Sequence, residues 1–120
     1  MPFESDLELR HVPGDALWKV VKPLQYRTAD GRRVIVPVGY RTDLASVPRL
    51  AWRIVPRDHV QARRPAVVHD FIYTNLTHRF TKREADRIFH AALLEEGMNK
   101  ALAWLMHTAV RIGGRGNWSA

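Results

Sequence analysis

His69 and Asp70 stand side by side within Val67-Val68-His69-Asp70-Phe71-Ile72-Tyr73, with apolar residues on both flanks. An imidazole can take up or release a proton near neutral pH, and a carboxylate can hold a cation or orient an imidazole. The apolar flanks predict a largely buried helix, where an ionised carboxylate is costly unless it is paired, metal-bound or protonated. Adjacent helical residues point about 100° apart, so the two side chains address different neighbours, one suited to acid/base work and one to a cation. Tyr73 follows His69 by four residues, on the same helical face, and can cover or bond that site.

Two further carboxylates are out of the ordinary. Asp86 lies beside the apolar stripe Ala85, Ile88, Phe89 and Leu93, in a helix that a short link, Thr74 to Phe80, makes the antiparallel neighbour of the first. That geometry brings Asp86 roughly level with His69 or Tyr73. A carboxylate facing an imidazole fixes its tautomer and raises its basicity, as in hydrolytic His–Asp pairs. His90, one turn beyond Asp86, is a substitute partner. Asp43 stands in the irregular stretch Thr42-Asp43-Leu44-Ala45-Ser46-Val47-Pro48. Oxygen ligands from Asp43, a neighbouring carbonyl and Asp70 would suit a hard cation such as calcium. Ser46 could be a nucleophile, but no Gly-x-Ser-x-Gly elbow surrounds it, and a cap or turn role fits better.

Structural readings stand beside these chemical ones. A buried His–Asp pair can simply tie helices together, Asp43 suits a turn or helix cap, and Asp86 can pair with Arg83, Arg87 or His90. Arg49 and Arg53 share a helix face and could contact phosphate. They begin a basic stretch with Arg57, Arg63, Arg64 and Trp52 that also reads as a solvated face with Trp52 packed inward. Trp104 and Trp118 are expected as core or terminal anchors. No metal-ligand spacing relates His11, His59, His78 and His107.

The elements that must position these groups follow from punctuation and period. All seven prolines fall at or before Pro65, which predicts strands first and helices second, an α+β order. Leu17–Val21, Leu24–Arg27 and Arg33–Val36 read as strands, the last two joined through an Asp30-Gly31 turn. The first ten residues could add an edge strand, and residues 37–47 read as irregular. Short helical signals begin at Pro48 (Arg49 to Ile54) and at Pro65 (to about Asn75). Thr81-Lys82-Arg83-Glu84 matches the capping box and opens a helix that stops at Gly97. A last helix spans about Lys100 to Ile112. The whole is a small antiparallel β-sheet followed by three to four helices, in one domain over residues 1–120.

The charge balance is basic, 19 Lys and Arg against 12 Asp and Glu for a net charge of +7. Such an excess favours polyanions, nucleic acid or anionic lipid head groups, and equally plain solubility. The absence of cysteine removes disulfides, thiolate metal sites and cysteine nucleophiles together and fits a reducing compartment. No apolar run reaches the roughly 18 to 20 residues of a membrane span, and no signal peptide is expected from the N-terminus.

The segments Val36-Pro37-Val38-Gly39-Tyr40-Arg41-Thr42-Asp43-Leu44-Ala45-Ser46-Val47-Pro48-Arg49, Ala66-Val67-Val68-His69-Asp70, Ala85-Asp86-Arg87-Ile88-Phe89 and Ala109-Val110-Arg111 resemble a family of small proteins. That family is frequent in tailed bacteriophages and prophages and labelled as of unknown function; the resemblance covers roughly Trp18 to Trp118. It implies phage origin, with a place in the host cytoplasm or the virion, and no activity. A more local similarity, through His69-Asp70-Phe71-Ile72-Tyr73-Thr74-Asn75 with Asp86 and Phe89, is to the His–Asp core of the secreted bacterial and fungal phospholipase A₂ type. It implies His69 as the base that activates water and Asp86 as its orienter. Asp70 would then bind calcium, with Asp43 and the Leu44 carbonyl as further ligands.

The expected function is a metal-assisted hydrolase with a His–Asp centre, phospholipid ester being the first substrate and an anionic membrane a fitting partner. The alternative is a non-enzymatic virion, tail or host-interaction protein in which the same cluster is structural. A phosphohydrolase of the HD type would need a separate upstream helical histidine, and His59 is poorly placed for that.

Overall fold

The computed structural model describes Phe3 and residues 9–11, 18–42 and 60–113. The chain divides into two compact units, Met1–Asp43 and Leu44–Ala120. The first holds strands and the second helices, the α+β order expected from the proline distribution.

In the first unit, β1 (Leu9–His11), β2 (Trp18–Val20) and β5 (Arg41–Thr42) form an antiparallel sheet in the order β1-β2-β5. A separate hairpin pairs β3 (Leu24–Arg27) with β4 (Arg33–Val36), Leu24 opposite Val36 and Tyr26 opposite Val34. Side chains alternate across a strand, so this register gathers Leu24, Tyr26, Val34 and Val36 on one face. All four are buried. Phe3 bridges to Tyr26, and their rings meet with centroids 4.7 Å apart. The expected N-terminal edge strand is thus this bridge together with β1.

Asp30 and Gly31 do close the hairpin, within a loop of residues 28–32. Gly31 adopts φ 88°, a conformation that a β-carbon disfavours. The Asp30 carboxylate accepts from the Thr28 hydroxyl, the Arg32 backbone and the Arg32 guanidinium. Those bonds hold its pKa near 2. Residues 37–42, the described part of the stretch expected to be irregular, are more ordered than their composition implies; residues 43–47 lie outside the described residues. Tyr40 N–H donates to the Pro37 carbonyl, and Gly39, at φ 91°, donates to Val20. This turn returns the chain to β2, where Arg41 and Thr42 pair with Lys19 and Trp18.

Three helices make up the described part of the second unit. They are α1 (Val60–Asn75), α2 (Lys82–Glu95) and α3 (Lys100–Gly113). The predicted helix over 49–54 lies outside the described residues. Helix α1 starts five residues before Pro65, which sits inside it, so this proline does not open the helix. The missing Pro65 N–H removes only the bond to residue 61 near the helix start, where the loss is smallest. From Pro65 to Asp70 six consecutive residues are buried, so the middle of α1 is enclosed on every face.

The ends of α2 are closed by hydrogen bonds within the local sequence. Thr81 Oγ1 accepts from Glu84 N–H at 3.1 Å while Glu84 Oε1 accepts from Thr81 N–H at 2.9 Å. At the other end Gly97, φ 91°, donates to the Leu94 carbonyl and Met98 to that of Leu93, a Schellman closure. Asn99 then caps α3 through Oδ1, 2.8 Å from Ala101 N–H.

Helix α1 packs on α2 and α2 on α3. Three cross-links fix the direction of the first pair. Arg64 meets Glu96, His69 meets Asp86, and Tyr73 also meets Asp86. Numbers that rise on α1 fall on α2, so the helices are antiparallel. Trp104 departs from the expected anchor role, since it is 58% exposed on α3; Trp118 lies outside the described residues.

Thr81→Ala removes the acceptor for Glu84 N–H and should cost about 1 kcal/mol in urea denaturation, while Thr81→Ser should cost much less. Equal losses for the two substitutions would show that the hydroxyl is not the stabilising group.

Candidate functional site

The site is built from residues one helical turn apart. On α1, His69 and Tyr73 share a face at i,i+4 spacing; on α2, Lys82 and Asp86 do the same, with Phe89 one turn further. Antiparallel packing brings these faces together. His69 Nε2 lies 2.8 Å from Asp86 Oδ1, and the Tyr73 hydroxyl donates to the same oxygen at 2.5 Å. The His69 ring stacks obliquely between aromatic neighbours, its centroid 4.2 Å from Tyr73 and 4.9 Å from Phe89. His69 is 0% exposed and Asp86 2%.

The other carboxylate oxygen faces away from α1. Lys82 Nζ donates to Asp86 Oδ2 at 2.7 Å and to the Val110 and Arg111 carbonyls, each at 3.3 Å. Those carbonyls belong to the last turn of α3, where partial negative charge accumulates and a cation is favoured. An ammonium has three donors, and these three acceptors match them.

Electrostatics follow from burial and these bonds. Desolvation pushes the His69 pKa below its ordinary value of 6.5, against the pull of Asp86. Burial alone would raise Asp86, but hydrogen bonds from His69, Lys82 and Tyr73 outweigh it and hold the carboxyl below its ordinary 3.8. Tyr73 is driven upward, first by desolvation and then by its bond to Asp86. The resting site is therefore a neutral imidazole, an ionised carboxylate, a protonated phenol and an ammonium. With Nε2–H donating to Asp86, the basic lone pair of His69 resides on Nδ1.

Asp70, the next residue on α1, is 5% exposed, and its backbone carbonyl accepts from the Thr74 hydroxyl at 2.9 Å. The remaining proposed calcium ligands, Asp43 and the Leu44 carbonyl, lie outside the described residues, as do Ser46, Arg49 and Arg53. No group of three or more His, Asp or Glu side chains able to hold a metal ion occurs among the described residues.

The structure thus joins His69, Tyr73 and Asp86. It corrects the other partners considered for Asp86: its cation is Lys82, and neither Arg83, Arg87 nor His90 bonds it among the described residues. The i,i+4 spacing of Lys82 and Asp86 was the signal for this pair. His90 instead stacks on His107, centroids 4.6 Å apart and planes within 4°. Arg64, grouped above with a basic stretch, forms a two-pronged ion pair with Glu96.

With fold and site in place, kinship can be stated. The chain is an α+β protein with an antiparallel helix pair that carries a buried His–Asp–Tyr–Lys cluster. Residues 18–110 match the family described as protein of unknown function (DUF1353), and the chain belongs to that family. No curated protein and no solved structure matches it.

Two measurements probe the cluster. Asp86→Ala strands a lysine, a phenol and an imidazole and should cost about 3–5 kcal/mol in denaturant unfolding, against roughly 1.5 kcal/mol for Tyr73→Phe. The pH dependence has a definite sign. Below the ordinary value of 6.5 the unfolded chain binds a proton at residue 69 that the folded chain resists, so stability must fall as pH drops through that value. Asp86, lowered from 3.8, adds a further loss below about pH 4. His107 acts in the same direction as His69. Melting temperature should therefore decline from pH 7 to pH 5, and less steeply in His69→Gln; an identical slope would remove His69 as a cause.

Proposed function

We propose that this protein is a hydrolase whose general base is His69, oriented by Asp86, with Tyr73 supporting the carboxylate. The carrying observation is the 2.8 Å contact of His69 Nε2 with a carboxylate that also receives the Tyr73 hydroxyl. Such a partner fixes the tautomer and stabilises the imidazolium formed when water gives up its proton. The depressed pKa of His69 keeps that base neutral at physiological pH. Asp70, together with Asp43 and the Leu44 carbonyl, would hold a hard cation such as calcium, which supplies polarisation of a carbonyl oxygen when bound.

Phospholipid ester is the first substrate class to test, on the local likeness of His69-Asp70 through Tyr73, with Asp86, to the phospholipase A₂ core. The basic surface suits an anionic membrane. Phage origin, with residence in host cytoplasm or virion, follows the likeness of the longer motifs. No described helix is long and apolar enough to cross a membrane.

One observation favours a second reading, in which the cluster only clamps helices within a virion, tail or host-interaction protein. His69 is fully buried and Asp86 nearly so, and their neighbours satisfy one another.

Hydrolysis of phosphatidylglycerol vesicles with millimolar calcium separates the two readings. His69→Gln, folded by circular dichroism, should lose about 10²–10⁴-fold in rate, the usual contribution of a general base. Calcium should raise the melting temperature through binding to the folded state. A wild-type protein without activity on any ester or phosphodiester, whose His69 and Asp86 variants lose stability alone, would establish the clamp. No thermal shift with calcium would remove the cation assignment.

A further inference from the structure

The cavity beside Asp86 has a chemistry that the His69 centre does not use. Its volume is about 440 Å³, and Lys82, Arg83, Asp86 and Arg87 of α2 line it together with His107 and Arg111 of α3. The sequence explains the convergence. Arg83 and Arg87 are one turn apart on α2, His107 and Arg111 one turn apart on α3, and the two helices pack against each other. Two rungs of basic side chains therefore face a common space.

Its charges are not balanced from within. Asp86 is already committed to His69, Tyr73 and Lys82, and the three Lys82 donors are matched by Asp86 and two α3 carbonyls. That leaves Arg83, Arg87 and Arg111, none of which forms an ion pair or side-chain hydrogen bond among the described residues. His107 adds a polar atom without an outlet: its Nε2 is buried and, among the described residues, has no hydrogen-bond partner. A buried ring nitrogen left unbonded is costly, and three guanidiniums around one cavity repel one another. A bound anion would relieve both.

We infer that this cavity is a binding site for a phosphate group carried on a small organic moiety, held by the guanidiniums of Arg83, Arg87 and Arg111 with His107 Nε2 as a further hydrogen-bond partner. Planar guanidiniums match the tetrahedral oxygens of phosphate two at a time, which favours phosphate over a spherical halide. The volume exceeds what a lone phosphate needs and falls in the range of small-ligand pockets. The glycerol phosphate part of a phospholipid and a soluble phosphate monoester share this chemistry. The inference holds whether or not His69 is a base, because it draws on the opposite side of Asp86.

The probes are sodium phosphate, glycerol 3-phosphate and phosphatidylglycerol vesicles, each added to the full chain at constant ionic strength with chloride as the balancing anion. Glycerol 3-phosphate should bind in calorimetry, raise the melting temperature and shift the His107 ring resonances in NMR spectra. Arg87→Gln and Arg111→Gln replace exposed side chains and should keep the fold by circular dichroism, while weakening glycerol 3-phosphate binding at least tenfold each. Arg87→Lys, which keeps the charge but loses the planar fork, should fall between wild type and Arg87→Gln. Vesicle binding that disappears with these substitutions assigns the phosphate to a lipid head group, whereas binding of glycerol 3-phosphate without vesicle binding assigns it to a soluble ester. Equal affinity in wild type and both glutamine variants, or no difference between phosphate and chloride in any readout, would overturn the site.

Discussion

One buried carboxylate organises the helical unit. An ionised Asp86 at 2% exposure is tolerable only if its charge is answered locally, and three donors from two helices do so. His69 and Tyr73 come from α1, Lys82 from α2 itself. Through Lys82 the same network reaches the terminal carbonyls of α3. All three described helices are thereby tied to one functional group, and separation of α1 from α2 leaves a carboxylate oxygen unsatisfied in the interior. The penalty is directional, unlike that of apolar packing, so it selects helix register as well as proximity.

That demand explains the care with which α2 is bounded. Lys82 sits immediately after the capping threonine, and Asp86 one turn later, so fraying of the first turn would move both ammonium and carboxylate. The Thr81–Glu84 box prevents this by satisfying two amides at the helix start. Farther along, the Schellman turn at Gly97 and the Asn99 cap reverse the chain within a few residues, which returns α3 alongside α2 with its last carbonyls level with Lys82. Local hydrogen bonds set the lengths of the helices, and those lengths set the geometry of the cluster.

The parts of this arrangement that depend on short-range rules are legible in the sequence. The hairpin with its Asp30-Gly31 turn, the capping box, the stop at Gly97 and the helical order all follow from local preferences. The pairing of His69 with Asp86 was legible because the short link between Tyr73 and Thr81 restricts how two helices can meet. What escaped depended on competition. Pro65 reads as a helix opener, yet burial of the segment around it holds the helix through the proline. Arg41 and Thr42 carry no strand signal of their own; a turn with positive φ at Gly39 delivers them to β2. Arg83 and Arg87 suit Asp86 by charge alone; the i,i+4 spacing favours Lys82, and the α3 carbonyls that receive its remaining donors reinforce that choice.

The choice of aspartate at position 86 carries the last step. Three donors point at this side chain, two at Oδ1 and one at Oδ2, and one donor is a full cation. An asparagine offers one acceptor oxygen and a donating nitrogen, so it could serve His69 and Tyr73 only by aiming its NH₂ at the Lys82 ammonium. A glutamate would carry the same charge but set its carboxylate one methylene further from the α2 backbone, out of register with His69 Nε2, the Tyr73 hydroxyl and Lys82 Nζ. Only the shorter carboxylate meets both conditions. The same saturation has a consequence outside the cluster: both Asp86 oxygens are taken by His69, Tyr73 and Lys82, so among the described residues the carboxylate forms no ion pair with Arg83, Arg87 or Arg111 around the cavity. Satisfaction of the interior and an uncompensated positive surface are two results of one placement.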